Sequence, residues 1–372
     1  MTDTPSTRSS LPVLGELSPF ARIAVTATVA ISVVAIVLDF GLHADPTILF
    51  VVAAVGILGL AWVVGLSTER LGAVTGPQVG GVINATFGNI AELIIAFFAL
   101  QAGLIDVVKA SLTGSIVGNL LLVLGVSVLV GGVRNGTQRF SEQIAGSNAA
   151  LLVVALLGLF VPAVFAFSSA DRSRGTLTEQ SVLVAVLLIL GYVLALVFQF
   201  RHPTETLGGH EAVAGHGGPA WSTPTAVAVL LVAAVFLTVL SEILVGAIEP
   251  FIARFGFSEF FVGVILIPTI GNLAEHLVAV QLAFKNKMEF AMAVCYGSSL
   301  QVALFVAPVL VLIGVGIGRP MDLVFEPLEV AAVGAAVGIS ALIAMDGESN
   351  WLEGALLTIV YVILAVSFFE LV

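Results

Sequence analysis

The sequence has very little charge and almost no cysteine. Charged residues make up 10% of the 372 residues, hydrophobic residues 59%, and the mean hydropathy is +1.15. A soluble domain carries about 25% charged residues, so the chain is predicted to be an all-α polytopic membrane protein. The single cysteine, Cys295, lies in an apolar segment, which excludes a disulfide framework and a zinc site built on thiolates. The net charge of −11 comes from few charges in short loops and leaves no basic patch for nucleic acid.

The signatures of intramembrane enzymes are also missing. The sequence contains neither His-Glu-x-x-His nor Gly-x-Ser-x-Gly. Two of its glutamates could still form a dyad of the aspartic-protease kind, although glutamates rarely serve in that role. We therefore do not expect an enzyme, and no cofactor is predicted.

Apolar segments long enough to span a bilayer recur along the whole chain. They cover roughly 19–39, 47–66, 78–101, 105–131, 142–167, 180–200, 224–248, 258–284, 288–314, 326–345 and 351–371, eleven in all. The polar first 18 residues and the length of the first apolar run favour a retained helix over a cleaved signal peptide. A polar linker with His202, His210 and His216 separates the sixth and seventh segments. It is either a flexible loop or a metal or pH sensor.

Two copies of one motif lie 183 residues apart. Residues 88–92 read Gly-Asn-Ile-Ala-Glu and residues 271–275 read Gly-Asn-Leu-Ala-Glu. The same offset pairs further small and polar positions: Gly80 with Gly263, Thr86 with Thr269, and Gly114-Ser115 with Gly297-Ser298. Chance agreement explains matching leucines and valines better than it explains these residues. The sequence therefore indicates an internal duplication.

The duplication predicts a domain plan. Residues 1–45 form a tail and first helix, 46–201 a first five-helix repeat, 202–223 the polar linker and 224–372 a second five-helix repeat. Because five is odd, the second repeat runs upside down, the inverted plan of many secondary transporters with a substrate site at the membrane midplane. Lysine and arginine number eight on the side of the N-terminus and five on the other, which favours a cytoplasmic N-terminus in a cell membrane, most simply the inner membrane of a bacterium.

The motif glutamates, Glu92 and Glu275, are the candidate chemical groups. A carboxylate near the bilayer centre costs about 2.5–3.5 kcal/mol on insertion scales, so two in matching contexts suggest one site built from two halves. Asn89 and Asn272 each precede a glutamate by three residues and share its helix face. Carboxylate and amide oxygens suit Ca²⁺, Mg²⁺ or Mn²⁺, and two negative charges match one divalent ion. The alternative is a pair of neutral, hydrogen-bonded structural groups.

Several neighbours are predicted to support these groups. Gly88 and Gly271 either weaken the helix beside each asparagine or allow close helix packing. Pro268 leaves the carbonyl of Val264 without its helical donor, so that oxygen is free to line a cavity. Two further pairs share a helix face and either complete a coordination shell or bond across helices: Ser115 with Asn119, and Ser298 with Gln301.

Three other ionisable residues have open roles. Glu242, flanked by apolar residues, is expected to face a cavity, where it would serve a proton path or cation entry. Glu69, at the end of the second span and beside Arg70, is either a similar group or half of an interfacial ion pair. His276 directly follows Glu275 and is either a proton shuttle or a hydrogen-bonding helix residue.

Together these motifs resemble the calcium/proton exchanger (CAX) family of the cation/Ca²⁺ exchanger superfamily. The matching stretches are 88–94, 114–121, 271–276 and 297–301, with 241–250 similar to the family's seventh helix. The resemblance covers essentially the second to eleventh helices. It implies eleven helices and often a homo-oligomer, and an antiporter in which Ca²⁺ and protons compete for Glu92 and Glu275. The family's acidic linker helix is not matched here, since residues 201–223 hold only Glu205 and Glu211 as acids.

The sequence therefore predicts a Ca²⁺/H⁺ antiporter that works by alternating access in a lipid bilayer. Related sodium/calcium exchangers usually carry proline before the motif glutamate, whereas Ala91 and Ala274 stand here, which favours protons over sodium. Antiport of Na⁺ or K⁺ for protons and a cation channel remain alternatives. A channel would use the carboxylates as a selectivity ring and would move no protons in return.

Overall fold

The chain is almost entirely helical over the residues that the computed structural model describes, which are 17–75, 83, 86–168, 174–201 and 221–370. The helices are, in chain order, α1 Pro19–Gly41, α2 Pro46–Thr75, α3 Ile90–Ala102, α4 Ile105–Asn135, α5 Glu142–Ser168, α6 Arg174–Arg201, α7 Thr223–Gly246, α8 Ile248–Phe255, α9 Glu259–Phe284, α10 Met288–Gly316, α11 Pro327–Ile343 and α12 Trp351–Glu370. Two short strands, β1 Gln138–Arg139 and β2 Glu348–Ser349, pair antiparallel. The linker with His202, His210, His216, Glu205 and Glu211, and the start of the third predicted span with Gly80, lie outside the described residues.

Nine of the described helices are long and apolar enough to cross a bilayer: α1, α2, α4, α5, α6, α7, α9, α10 and α12. The apolar helices α3 and α11 are shorter and coincide with the third and tenth predicted spans. The all-α polytopic fold is thereby confirmed, and the protein is an integral membrane protein. The count of eleven spans stays a prediction, because α11 has 17 residues and the start of the third predicted span lies outside the described residues.

Serine caps and prolines fix where the helices begin. Ser18 accepts a hydrogen bond from the Ala21 N–H at 3.2 Å, and Ser222 accepts one from the Thr225 N–H at 3.3 Å. Both helices, α1 and α7, have a proline in the first turn, where its missing N–H costs nothing. Helix α3 ends at Gly103, whose φ of +90° is favourable only for glycine.

The two copies of the duplicated motif meet at the centre of the bundle. Helices α3, α4, α9 and α10 contact one another, while α7 packs along α2 and α12 packs against α4. The spans α4 and α10 are the most buried, whereas α1 and α6 expose most of their apolar surface. Helices α3 and α9 carry the motif glutamates, so the fold places both in its most enclosed region.

Three central helices contain a widened π-helical turn. The turns cover Gly118–Val123 in α4, Val302–Val306 in α10 and Val262–Leu266 in α9. Adding 183 to 119–123 gives 302–306, so the first two turns occupy repeat-related positions. Such turns occur frequently at functional sites. The duplication read from the sequence therefore extends to a shared backbone distortion.

Two helix ends differ from the prediction. Helix α2 continues to Thr75 instead of ending near residue 66, and within it the hydroxyls of Ser67 and Thr68 bond to carbonyls of the same helix, at 2.9 Å each. Glu69 therefore lies inside α2. The seventh predicted span, 224–248, ends at Gly246, and a separate short helix, α8, follows it.

Candidate functional site

The motif glutamates face the same buried space between α3 and α9. Glu92 lies in the first turn of α3 and is 7% exposed, and Glu275 lies within α9 with one oxygen buried. A Cβ on Gly271 would lie 3.0 Å from Glu92 Cγ. Gly271 and Glu275 are four residues apart and share a face of α9. The two carboxylates are therefore close enough to repel each other.

Each asparagine pairs with the serine of the other half. Ser298 donates to Asn89 Oδ1 at 3.1 Å, and Asn272 Nδ2 lies 3.4 Å from Ser115 Oγ. The offset of 183 carries Asn89 onto Asn272 and Ser115 onto Ser298, so each pair becomes the other when the halves are exchanged. This is the contact pattern of a pseudo-twofold axis passing through the site.

A chain of hydrogen bonds surrounds the second half of the site. His276 Nε2 lies 3.1 Å from Asn119 Oδ1, and Asn119 Nδ2 donates to Ser298 Oγ at 3.1 Å. Ser298 in turn donates to Asn89, and Asn89 Nδ2 donates to Gln301 Oε1. The chain joins α9, α4, α10 and α3 in one network. Asn119, Ser298, Gln301 and His276, which the sequence singled out, thus belong to one hydrogen-bonded chain, while Ser115 bonds to Asn272.

Four buried oxygen atoms of this cluster accept no hydrogen bond within the described residues. They are both carboxylate oxygens of Glu92, Oε2 of Glu275 and Oδ1 of Asn272. Leaving one buried polar group without a partner costs about 1–3 kcal/mol. All four are hard oxygen acceptors, the kind of ligand that a calcium ion takes. The arrangement can satisfy them with a cation, or satisfy the carboxylates with protons.

Helix α3 adds a favourable electrostatic element. Gly88 and Asn89 form a turn, and α3 begins at Ile90, so the N-terminal end of this helix lies at the site. Its unpaired N–H groups and dipole favour negative charge in the first turn, where Glu92 lies. In the second copy, Gly271 and Asn272 lie within continuous helix. The predicted local weakening is therefore visible only at Gly88.

The carbonyl freed by Pro268 is covered by a helix contact. A Cβ on Gly114 would clash with the backbone of Val264, including its carbonyl oxygen. Helix α4 therefore packs directly on the π-helical turn of α9, and Gly114 is required for that approach. The sequence showed the glycine and the proline, but their contact depends on how the two helices cross.

Within the described residues, neither Glu242 nor Glu69 joins the hydrogen-bond chain of the cluster. Glu242 is exposed on α7, a helix that packs against α3 as well as α2. Glu69 is half-buried, and its Oε1 is buried without a hydrogen bond in the described part of the chain. Within those residues it forms no ion pair with Arg70, which donates to the carbonyl of Trp221 instead.

One buried carboxylate was missed in the sequence. Glu329 in α11 is 1% exposed and accepts from Thr113 Oγ1 at 3.0 Å and from the Glu326 N–H at 2.9 Å. The pattern Glu-Pro-x-Glu at the helix start is the available signal, since it is typical of a capping box. Both of its oxygens are satisfied, so Glu329 holds α4 and α11 together and lacks the free acceptors of the central pair.

Comparison with known proteins gives consistent matches over most of the chain. A family model described as sodium/calcium exchanger protein matches residues 46–201 and 225–369. The chain is 41% identical over 341 residues to a "Ca(2+)/H(+) antiporter" of Aphanothece halophytica, covering 88% of this chain and 91% of that one. It is 42% identical over 340 residues to "Ca(2+)/H(+) antiporter ChaA" of Bacillus subtilis (strain 168), covering 89% and 94%. The solved structure of native YfkE matches with a TM-score of 0.80 at 39% identity, covering 94% of this chain and 99% of that chain.

Proposed function

Because the chain belongs to the sodium/calcium exchanger protein family, as its resemblance to calcium/proton exchangers predicts, we propose that it exchanges Ca²⁺ for protons across a membrane. The exchange occurs by alternating access at the Glu92–Glu275 site. Its relatives named as Ca(2+)/H(+) antiporters support the choice of substrates.

The observation that carries the proposal is the set of four buried oxygens without hydrogen-bond donors. Two carboxylates supply two negative charges, and Asn272 supplies a neutral oxygen beside them. A divalent cation neutralises both charges at once and gives each oxygen a partner. The relevant ligands are Glu92, Glu275, Asn89, Asn272, Ser115 and Ser298, with Asn119, Gln301 and His276 holding them in place.

Coupling follows from competition for the same atoms. When both glutamates are ionised, losing the cation would leave two close negative charges buried without a partner, which is strongly unfavourable. Protons arriving from the other side neutralise the carboxylates and remove this barrier to release. A site that must hold either the cation or protons cannot cross the membrane empty, so the two fluxes are linked.

Alternating access is supported by where the site lies. The asparagine–serine pairs join the two halves, so a movement of one half against the other opens the cluster to one side and closes it from the other. Gly271 leaves room for the side chain of Glu92 to approach α9. Glu242 and Glu69 remain candidates for the entry path. With the N-terminus in the cytoplasm, inward proton movement drives export of the cation.

Reconstitution tests this function. Purified protein is placed in liposomes with a pH dye inside, and one cation at a time is added outside while the membrane potential is clamped. The proposal predicts that Ca²⁺ enters and the interior becomes more alkaline, and that Glu92→Gln shows neither change. Ca²⁺ uptake without an internal pH change would indicate a channel, and alkalinisation with Na⁺ or K⁺ but not Ca²⁺ would indicate a different antiporter.

A further inference from the structure

The hydrogen-bond chain around Ser298 runs in one direction. Gln301 accepts from Asn89, Asn89 accepts from Ser298, Ser298 accepts from Asn119, and Asn119 Oδ1 faces His276 Nε2. Asn89 and Asn119 each accept on one side and donate on the other. An amide oxygen has no hydrogen to give, so the last contact forms only if His276 Nε2 is the donor. His276 is therefore the first donor of the whole series.

The chain surrounds only one half of the pseudo-twofold site. Subtracting or adding 183 places Leu93 opposite His276, Val302 opposite Asn119 and Gly118 opposite Gln301. None of these three side chains can take part in a hydrogen bond. The core pairs join the same residue types but run in opposite directions, since Ser298 donates to Asn89 whereas Asn272 donates to Ser115. The orienting groups lie beside Asn89 and Ser298. The two halves of the site are chemically unequal.

The direction of the chain decides which atoms face a cation. Ser298 Oγ uses one lone pair to accept from Asn119, and Asn89 Oδ1 uses one to accept from Ser298. Each oxygen therefore keeps another lone pair for a metal ion. In the reverse direction, Asn89 would donate to Ser298, and its oxygen would take the place of the N–H₂ group that now faces Gln301, so the two directions present different Asn89 atoms to the cluster. Because an amide N–H repels a cation whereas an amide oxygen binds one, fixing one direction removes the arrangement that binds the cation less well.

We propose that His276 is a positioning residue that sets this direction and thereby raises the affinity of the site for its cation. The inference rests on the proposed function of the site. It assigns to His276 a fixed donor role through Asn119 and Ser298, and it does not require the imidazole to carry protons during transport. The Nε2 hydrogen is committed to Asn119, and passing it on would break the chain.

The proposed role predicts which substitutions of His276 preserve the affinity for Ca²⁺. Glutamine carries an N–H₂ group near the place of Nε2 and preserves the donor, whereas leucine fills a similar space without one. Asparagine is polar but one carbon shorter than glutamine and does not reach Asn119. Gln281, exposed five residues later on the same helix, provides a matched control, Gln281→Leu.

The experiment measures Ca²⁺ uptake into liposomes as a function of Ca²⁺ concentration at one fixed pH, with the full-length protein. For His276→Leu and His276→Asn, the half-saturating Ca²⁺ concentration should rise about tenfold, the effect of losing one hydrogen bond that supports a charged ligand set. The maximal rate should remain near that of the wild type, because the lost interaction acts on binding. His276→Gln and Gln281→Leu should resemble the wild type. Adding His276→Leu to Asn119→Leu should cause no further rise, since the chain is already broken.

An unchanged half-saturation in His276→Leu would overturn the inference, and so would a His276→Gln variant as impaired as His276→Leu. A loss of maximal rate with an altered pH profile at unchanged half-saturation would overturn it in favour of a proton shuttle. If His276→Leu does not fold, the comparison of the glutamine and asparagine variants decides.

If the wild type exchanges no Ca²⁺ for protons, the proposed function fails separately. Ca²⁺-dependent thermal stabilisation in detergent then decides the inference: it should be retained in His276→Gln and reduced in His276→Asn, and equal stabilisation would overturn it.

Discussion

Gly271 of α9 lies against Glu92 of α3, where a Cβ would meet the Glu92 side chain at 3.0 Å from Cγ and 3.2 Å from Cδ. The absence of a single methyl group allows the carboxylate of one half to reach the helix that carries the carboxylate of the other. The proximity of Glu92 and Glu275 depends on this contact, and so does the proposed competition between Ca²⁺ and protons.

Replacing Gly271 by alanine should therefore impair binding more than folding. The group that must move is the end of a flexible side chain, so the helix packing can adapt while the carboxylate is displaced. We expect the half-saturating Ca²⁺ concentration to rise about tenfold, in line with the steep cost of misplacing a reacting group. Gly338→Ala is the control, because a Cβ there meets nothing within 4 Å among the described residues. Equal uptake curves for the two variants would contradict the assignment.

Neutralising either central acid should abolish exchange while leaving the protein folded. Glu92→Gln and Glu275→Gln preserve the side-chain shape and remove a buried charge, so expression and thermal unfolding should stay close to the wild type or improve. Without one of the two charges the site no longer balances a divalent ion. Transport by either variant at the wild-type rate, measured as coupled Ca²⁺ uptake and internal pH change, would refute the central role of that residue.

Exchange should depend on pH with a definite sign. Protons occupy the carboxylates that hold the cation, so raising the pH lowers proton occupancy and must lower the half-saturating Ca²⁺ concentration. The change reaches up to about tenfold per pH unit for each proton displaced. Uptake curves measured from acidic to alkaline pH test this, and a half-saturation that does not respond to pH, or that rises with it, would rule out direct competition.

Glu329 provides a buried carboxylate outside the transport site. Glu329→Gln keeps an oxygen that accepts from Thr113. It places its N–H₂ group against the Glu326 N–H, and this group cannot accept a hydrogen bond. We expect a destabilisation of about 1–3 kcal/mol, seen as a lower unfolding midpoint, with Ca²⁺/H⁺ exchange retained. Loss of exchange in a folded Glu329→Gln protein would show that the transport machinery extends to α11.

The chemical groups of the site were predictable from the sequence because the duplication preserves them at one offset. Asn89 with Glu92 and Asn272 with Glu275 stood out as polar groups in apolar helices, and the structure brings both pairs together. The all-α membrane fold followed from composition and apolar length. These features depend on local pattern and on repetition, which a single sequence contains.

The partners across the bundle were not predictable. His276 bonds to a residue 157 positions away, and Gly271, expected either to weaken its helix or to allow close packing, makes room for the side chain of Glu92. Such contacts depend on how α3, α4 and α9 cross. Glu69 was misplaced at a helix end for a different reason, because the apolar run ends near residue 66 whereas α2 itself continues to Thr75.

The central claim is that one pair of carboxylates holds either the cation or protons. Calorimetric titration of the purified protein with Ca²⁺ at acidic pH, in two buffers of different ionisation enthalpy, counts the protons released for each ion bound. The account predicts measurable proton release by the wild type, and neither Ca²⁺ binding nor release by the variant that combines Glu92→Gln with Glu275→Gln. Tight Ca²⁺ binding by that variant, or binding to the wild type at acidic pH without proton release, would contradict it.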